Sequence, residues 1–306
     1  MNAPVRDIVA APQRRRVRPT VIAQFAALSV IWGSTWLVIK DQIGVVPIEW
    51  SVSYRFLIAG AVMALLCVVM RKSLVLPRAG HGLALAIALT QFTLNFNLVY
   101  RAEVYLTSGL VALMFSLIVI PNTVLARIFL RQHIAPGFVV GSVVGIGGVA
   151  LLVGRDLDLT GSDVGFGLVL AGIAVLCASV GNVLQATPRA RALPLEGLLA
   201  WSLIYGGLLT AAVAWTAAGP PVFDTRFGYV AGVLYLALIA TTLAFRLYYA
   251  MIREIGPARS AYVNVVVPLV AMTLSTVFEG FVWTWSAALG GVLALIGLVI
   301  ALRSRA

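Results

Sequence analysis

Little in this chain can do chemistry by itself. Two histidines and two cysteines stand among 306 residues, and only eleven residues are acidic. His81 and His133 lie 52 positions apart and the carboxylates are scattered. The paired histidines of a metalloprotease and the clustered acids of a prenyl-transfer enzyme are therefore both missing, which leaves an integral membrane enzyme as a remote alternative. Cys67 and Cys177 sit inside apolar stretches without metal-ligand spacing and read as small core residues rather than a disulfide. No cofactor and no metal is expected. Charged residues make up 11% of the chain, too few for a soluble domain of this size.

What fills the space is apolar: 61% of the residues are hydrophobic and the mean hydropathy is +1.01. A helix rising about 1.5 Å per residue needs about 20 apolar residues to cross a hydrocarbon core of about 30 Å. Ten stretches approach that length, near 20–39, 51–70, 82–100, 107–126, 135–153, 164–187, 194–218, 227–251, 257–278 and 283–302. The expectation is an all-α polytopic membrane protein with ten transmembrane helices.

A net charge of +11 could suggest nucleic acid, but the positions of the basic residues argue otherwise. With the N-terminus in the cytoplasm, sixteen basic residues fall on the cytoplasmic side, among them Arg71, Lys72, Arg127, Arg131, Arg189 and Arg253. Only Lys40, Arg101, Arg155 and Arg226 fall on the other, and Arg55 and Arg246 lie within spans. That asymmetry follows the positive-inside rule and puts both termini in the cytoplasm. Residues 1–19, with five arginines and three prolines, read as a basic tail that touches anionic lipid. Trp32 and Trp36 at the far end of the first apolar stretch favour an uncleaved helix over a signal peptide.

The chain also repeats itself. Pro121 is followed by Gly141 and, seven residues later, Gly148; Pro268 is followed by Gly290 and, again seven later, Gly297. Asn97 and Tyr100 precede the first proline as Arg246 and Tyr249 precede the second, and Gly33-Ser34 matches Ala178-Ser179. An internal duplication is expected, with repeats over 20–154 and 164–302. Five spans per half is an odd number, so the second copy enters the membrane inverted. Inverted repeats are a hallmark of secondary transporters, with the substrate site at the repeat interface near the midplane. Pro121 and Pro268 each remove a hydrogen bond inside an apolar span and are candidate hinges.

The run Ile31-Trp32-Gly33-Ser34-Thr35-Trp36 ending in Lys40, the triplet Tyr54-Arg55-Phe56 and the duplicated proline-then-glycine helices resemble the EamA family of the drug/metabolite transporter superfamily. The resemblance spans about residues 20–302 and implies the ten-helix, two-repeat plan. Within the family the chain is similar to bacterial exporters of aromatic amino acids. This implies a cytoplasmic (inner) membrane location and alternating access. Transporters of phosphorylated sugars or of drugs and other metabolites in the same superfamily are the alternatives.

Polar side chains in hydrocarbon mark where a substrate could sit. Gln91 and Asn95 are four apart on one helical face, with Thr93 and Asn97 on another. Asn182 and Gln185 lie in the sixth span and Asn264 in the ninth. Amides suit a zwitterion because they donate to a carboxylate and accept from an ammonium group. Family resemblance and depth add Trp36, Tyr100 and Tyr205 as cavity walls, and the repeat alignment adds Arg246 and Tyr249. Arg246 aligns with Asn97, which favours it over Arg55 for the central cavity. No carboxylate lies deep in a span, so facilitated diffusion is expected rather than proton-driven pumping. The partners expected are a small-molecule substrate, amino acids or related metabolites, and membrane lipid. No nucleic acid is expected, and the chain is read as a monomer.

Overall fold

The computed structural model describes residues 19–106, 108–153, 163–278 and 283–304. The basic tail through Arg18, the loop with Arg155, Asp156 and Asp158, and Glu279 lie outside the described residues. The order is α1 (Pro19–Gln42), α2 (Ile48–Val69), α3 (Arg78–Tyr105), α4 (Ser108–Ser116), α5 (Val119–Leu130), α6 (Pro136–Val153), α7 (Val164–Ala186), α8 (Leu195–Ala218), α9 (Phe227–Ile255), α10 (Val263–Phe278) and α11 (Trp285–Arg303). Single helical turns at Pro188–Arg191 and Pro257–Ser260 precede α8 and α10. Among the described residues there is no β-strand, only an isolated bridge from Ile43 to Val46. Six helices among the described residues, α2, α3, α7, α8, α9 and α11, are long and apolar enough to cross a membrane. Val143, Leu176, Leu208 and Val299 stand exposed on the outside of the bundle, a surface that water would penalise and lipid would not.

The helices pack in pairs that repeat between the halves. α6 lies along α11 and α2 along α8, while α3 packs on α7 as α1 packs on α9. Glycine makes the first of these contacts close. A Cβ on Gly141 would stand 2.6 Å from the Ala301 nitrogen, and one on Gly148 2.6 Å from the Gly290 carbonyl oxygen. Gly297 meets the Gly145 backbone in the same way. Between α2 and α8 the fit is reciprocal: Gly60 receives Ile204 and Gly207 receives Leu57. An offset of 147 residues carries Glu49, Leu57 and Gly60 onto Glu196, Ile204 and Gly207, so the duplication extends beyond the proline and glycine marks. Backbone approach of this kind substitutes for the hydrophobic drive that lipid cannot supply.

Two features differ from simple spans. The fourth apolar stretch is not one kinked helix: it breaks at Leu117–Ile118, and Pro121 falls in the first turn of α5. There its missing N–H would have lacked a helical partner anyway, and Ile120 N–H bonds to the Leu117 carbonyl at 2.9 Å instead. Pro268 does lie inside α10, and it deprives the Asn264 carbonyl of its helical donor. The second feature is a pair of π-helical segments, Ala88–Leu94 in α3 and Leu238–Leu243 in α9, at matching places in the two halves. Side chains occupy carbonyls along these widened turns. Thr90 donates to Ala86 O, Asn95 to Gln91 O and Thr242 to Ala237 O.

Candidate functional site

A cavity lies at the centre of the bundle, walled by both halves. α1 supplies Trp32, Thr35, Trp36 and Ile39; α3 supplies Gln91, Asn95, Phe96 and Val99; Phe115 and Ile118 come from α4 and the break after it. The second half adds Ala178 and Asn182 from α7, Phe245 and Tyr248 from α9, and Asn264 and Val267 from α10. The π segments lie in or next to the lengths of α3 and α9 that face this space, where such bulges recur at functional sites.

One guanidinium faces the cavity, that of Arg55 on α2. Its Nε donates to Thr241 Oγ1 at 2.8 Å, its Cζ sits 4.6 Å from the centroid of Phe96, and its Nη1 has no hydrogen-bond partner. The side chain is only 2% exposed, so the charge is held in low dielectric. Tyr100 and Glu103 are near enough to act on it electrostatically. Among the lining residues, the amide oxygens Gln91 Oε1, Asn95 Oδ1 and Asn182 Oδ1 and the indole nitrogen Trp36 Nε1 are also buried without partners. Asn182 Nδ2 donates to the Tyr248 hydroxyl at 3.2 Å, and Trp32 packs edge-on against the same tyrosine at 4.9 Å. No aspartate, glutamate or histidine is among the lining residues.

Five of the residues expected at a substrate site line this cavity: Trp36, Gln91, Asn95, Asn182 and Asn264. Gln91 and Asn95 share the cavity face, whereas Asn97 turns to its own helix (Thr93 O, 2.7 Å) and to Thr210 on α8. Tyr100 is buried behind Arg55, with its hydroxyl 3.5 Å from Gln42 Oε1. Gln185 accepts from Arg253 at 3.5 Å, and Tyr205 bonds His81 Nδ1 at 2.9 Å, both outside the cavity. Tyr249 is fully buried against Phe245. Arg246, expected beside the cavity, instead pairs with Glu196 at 3.1 Å, because its side of α9 faces α8. The phenylalanines Phe96, Phe115 and Phe245 carried no polar mark that would have singled them out. Arg55 did carry one: a cation inside a span is by default a functional candidate.

Ion pairs close the two ends of the bundle. Glu49, in the first turn of α2, pairs with Arg101 of α3, and Glu196, in the first turn of α8, pairs with Arg246 of α9. A carboxylate in a helix's first turn is also favoured by the helix dipole. In the loop before α9, the backbone N–H and guanidinium of Arg226 hold the Asp224 carboxyl below its ordinary value. At the opposite end, the loop before α3 packs on α8 (Trp201 Nε1 to Leu74 O, 2.8 Å), and Arg253 donates to Leu193 O and Ala190 O.

The sequence signature of the EamA-like transporter family matches residues 20–154 and, a second time, 165–303. Among curated proteins, the chain is 21% identical to Protein PagO of Salmonella typhimurium over 90% of its own length and 89% of that protein's. It is 28% identical to the uncharacterized inner membrane transporter YedA of Escherichia coli, covering 87% of this chain and 85% of YedA. It is also 26% identical to a probable amino-acid metabolite efflux pump of Salmonella typhimurium, covering 89% and 91%. A crystal structure of a protein 18% identical in sequence superposes with a TM-score of 0.76, over 94% of this chain and 99% of that one, which speaks to the fold alone.

Proposed function

The chain belongs to the EamA-like transporter family and is an integral membrane protein; from that premise we propose that it exports neutral or aromatic amino acids from the cytoplasm by alternating access. The observation that carries the reading is the central cavity: both repeats wall it, and amides, aromatic rings and a single guanidinium line it. A phosphorylated sugar would call for several cations around its phosphate, and among the described lining residues Arg55 is the one lysine or arginine. The name of the Salmonella efflux pump supports the same substrate class.

In this reading all ten apolar stretches span the membrane, the broken α4–α5 stretch and the Pro257–Phe278 stretch included, as two inverted five-helix repeats. The end with Arg71, Lys72, Arg127 and Arg131 faces the cytoplasm. Transport is facilitated diffusion, because the described lining residues include no carboxylate or imidazole to carry a proton. Pro121 and Pro268, each close after a helix break, are the proposed hinges.

Reconstitution tests this. Purified protein in liposomes is expected to move neutral and aromatic amino acids saturably without a pH gradient or membrane potential, and to stop when concentrations equalise. Movement of phosphorylated sugars but no amino acid would sink the substrate assignment. Accumulation beyond equilibrium driven by an imposed proton gradient would sink the facilitator assignment. In a variant lacking Cys67 and Cys177, a cysteine at exposed Val75 should label only from the cytoplasm and one at exposed Val45 only from outside. The reverse pattern would invert the topology.

A further inference from the structure

The central cavity holds unsatisfied groups of two opposite kinds, on different walls. On the α1 and α2 side stand donors: Trp36 Nε1 is without a partner, and Arg55 leaves Nη1 without one while Thr241 and the Phe96 ring hold its guanidinium. On the α3 and α7 walls stand acceptors: the side-chain oxygens of Gln91, Asn95 and Asn182, whose residues are 4%, 2% and 1% exposed. Partner geometry fixes the polarity of two of these amides. Asn95 Nδ2 donates to the Gln91 carbonyl and Asn182 Nδ2 to the Tyr248 hydroxyl, so the oxygens are the atoms of these lining residues left without a partner. Buried polar atoms left unpaired are costly, and a ligand that pairs them recovers that cost on binding.

Such a site asks for one molecule with an anion at one end and an N–H donor cation close beside it. Phe96, whose ring lies against the Arg55 guanidinium of α2, is the chain neighbour of Asn95 on α3, so both groups belong to one region of the cavity wall. Building on the amino-acid reading above, we propose that Arg55 is the receptor for the substrate's α-carboxylate. Asn95, with Gln91 and Asn182, receives its α-ammonium group, so the protein selects intact zwitterions over amines and over carboxylic acids. The aromatic walls then hold the side chain without reading it in detail, because they offer flat apolar surface and no further charge.

The experiment uses the full chain in proteoliposomes, labelled phenylalanine as the transported probe, and phenethylamine and 3-phenylpropanoate as competitors. In the wild type both competitors should bind at least about 10-fold more weakly than phenylalanine, the loss that follows when one buried partner of a charged hydrogen bond is left unpaired. Arg55→Gln should weaken phenylalanine at least about 10-fold, leave phenethylamine unchanged, and so erase discrimination against the amine. Asn95→Leu should do the converse, erasing discrimination against 3-phenylpropanoate while the amine stays rejected. This second variant keeps the assignment testable should the first fail to fold. If the wild type moves phenylalanine but neither variant changes the competitor ratios, the assignment of Arg55 and Asn95 is wrong while the amino-acid reading stands. If 3-phenylpropanoate binds as well as phenylalanine in sodium but not in choline, the oxygens serve a metal cation and the assignment is overturned. If the wild type moves no amino acid, both fall together.

Discussion

A charge in a low-dielectric interior needs a partner, and the two arginines inside the bundle meet that need differently. Arg246 has a full counter-ion in Glu196, whereas Arg55 has a hydroxyl, two aromatic faces, Tyr100 and Glu103 within electrostatic reach, and one buried nitrogen without a hydrogen-bond partner. Their variants should therefore fail in different ways. Arg246→Ala leaves the Glu196 carboxylate without its partner in a largely buried place. A fully buried pair would cost more, but Arg246 is 33% exposed, which brings the expected loss to about 1–2 kcal/mol. That loss should appear as a lower thermal midpoint in detergent with KM little changed. Arg55→Ala should instead raise KM, since Arg55 lines the space where substrate would sit. A larger KM change for Arg246→Ala than for Arg55→Ala would contradict this division. Depth in the sequence could not separate the two residues, because both are about equally far from a span end. What separates them is the direction each faces around its helix.

At the scale of the helix, the seam between α6 and α11 makes the firmest demand on sequence. A side chain on Gly148 would collide with the Ala294 and Gly290 backbones, which cannot rotate away as a side-chain tip can. Gly147, next to it, has open space beyond its Cα. Gly148→Val should lower stability by about 1–3 kcal/mol, while Gly147→Val should stay within about 0.5 kcal/mol of the parent. Thermal unfolding of the two variants checks this, and equal tolerance of both would mean that the seam is not tight. The seam was legible beforehand because glycines seven apart recur in both halves. The helical stretches were legible because hydropathy reports length directly. The π segments were not. No residue type announces them, and they enter the structure through tertiary packing plus side-chain bonds such as Asn95 to Gln91 O. Each adds about one residue to a turn, so a face counted with a period of 3.6 slips across it. The alignment of Arg246 with Asn97 was sound in itself, since both turn to α8; the error lay in assigning that direction to the cavity.

Across the whole molecule the scaffold is far more symmetric than its contents. Glu49 and Glu196 stand at the same place in the two halves, yet their partners do not: Asn97 aligns with Arg246, and Ala250 occupies the place that corresponds to Arg101. The cavity is lopsided too. Arg55 lies five residues before Gly60, and the equivalent position before Gly207 is Ser202, whose hydroxyl is spent on the Leu198 carbonyl. In a carrier with identical halves, the states open to either face would be energetic mirror images, and substrate would bind equally well from both sides. A lone guanidinium on one half removes that equality. A carrier without an energy source is still bound by detailed balance, so any difference in KM between influx and efflux must be matched by the same difference in Vmax. Measured in vesicles of one orientation, KM should differ between the two directions while Vmax/KM agrees; unequal ratios would reveal a coupled ion. The duplicated frame would then act as a kinetic valve, tuned to unequal substrate concentrations on its two sides, without pumping against them.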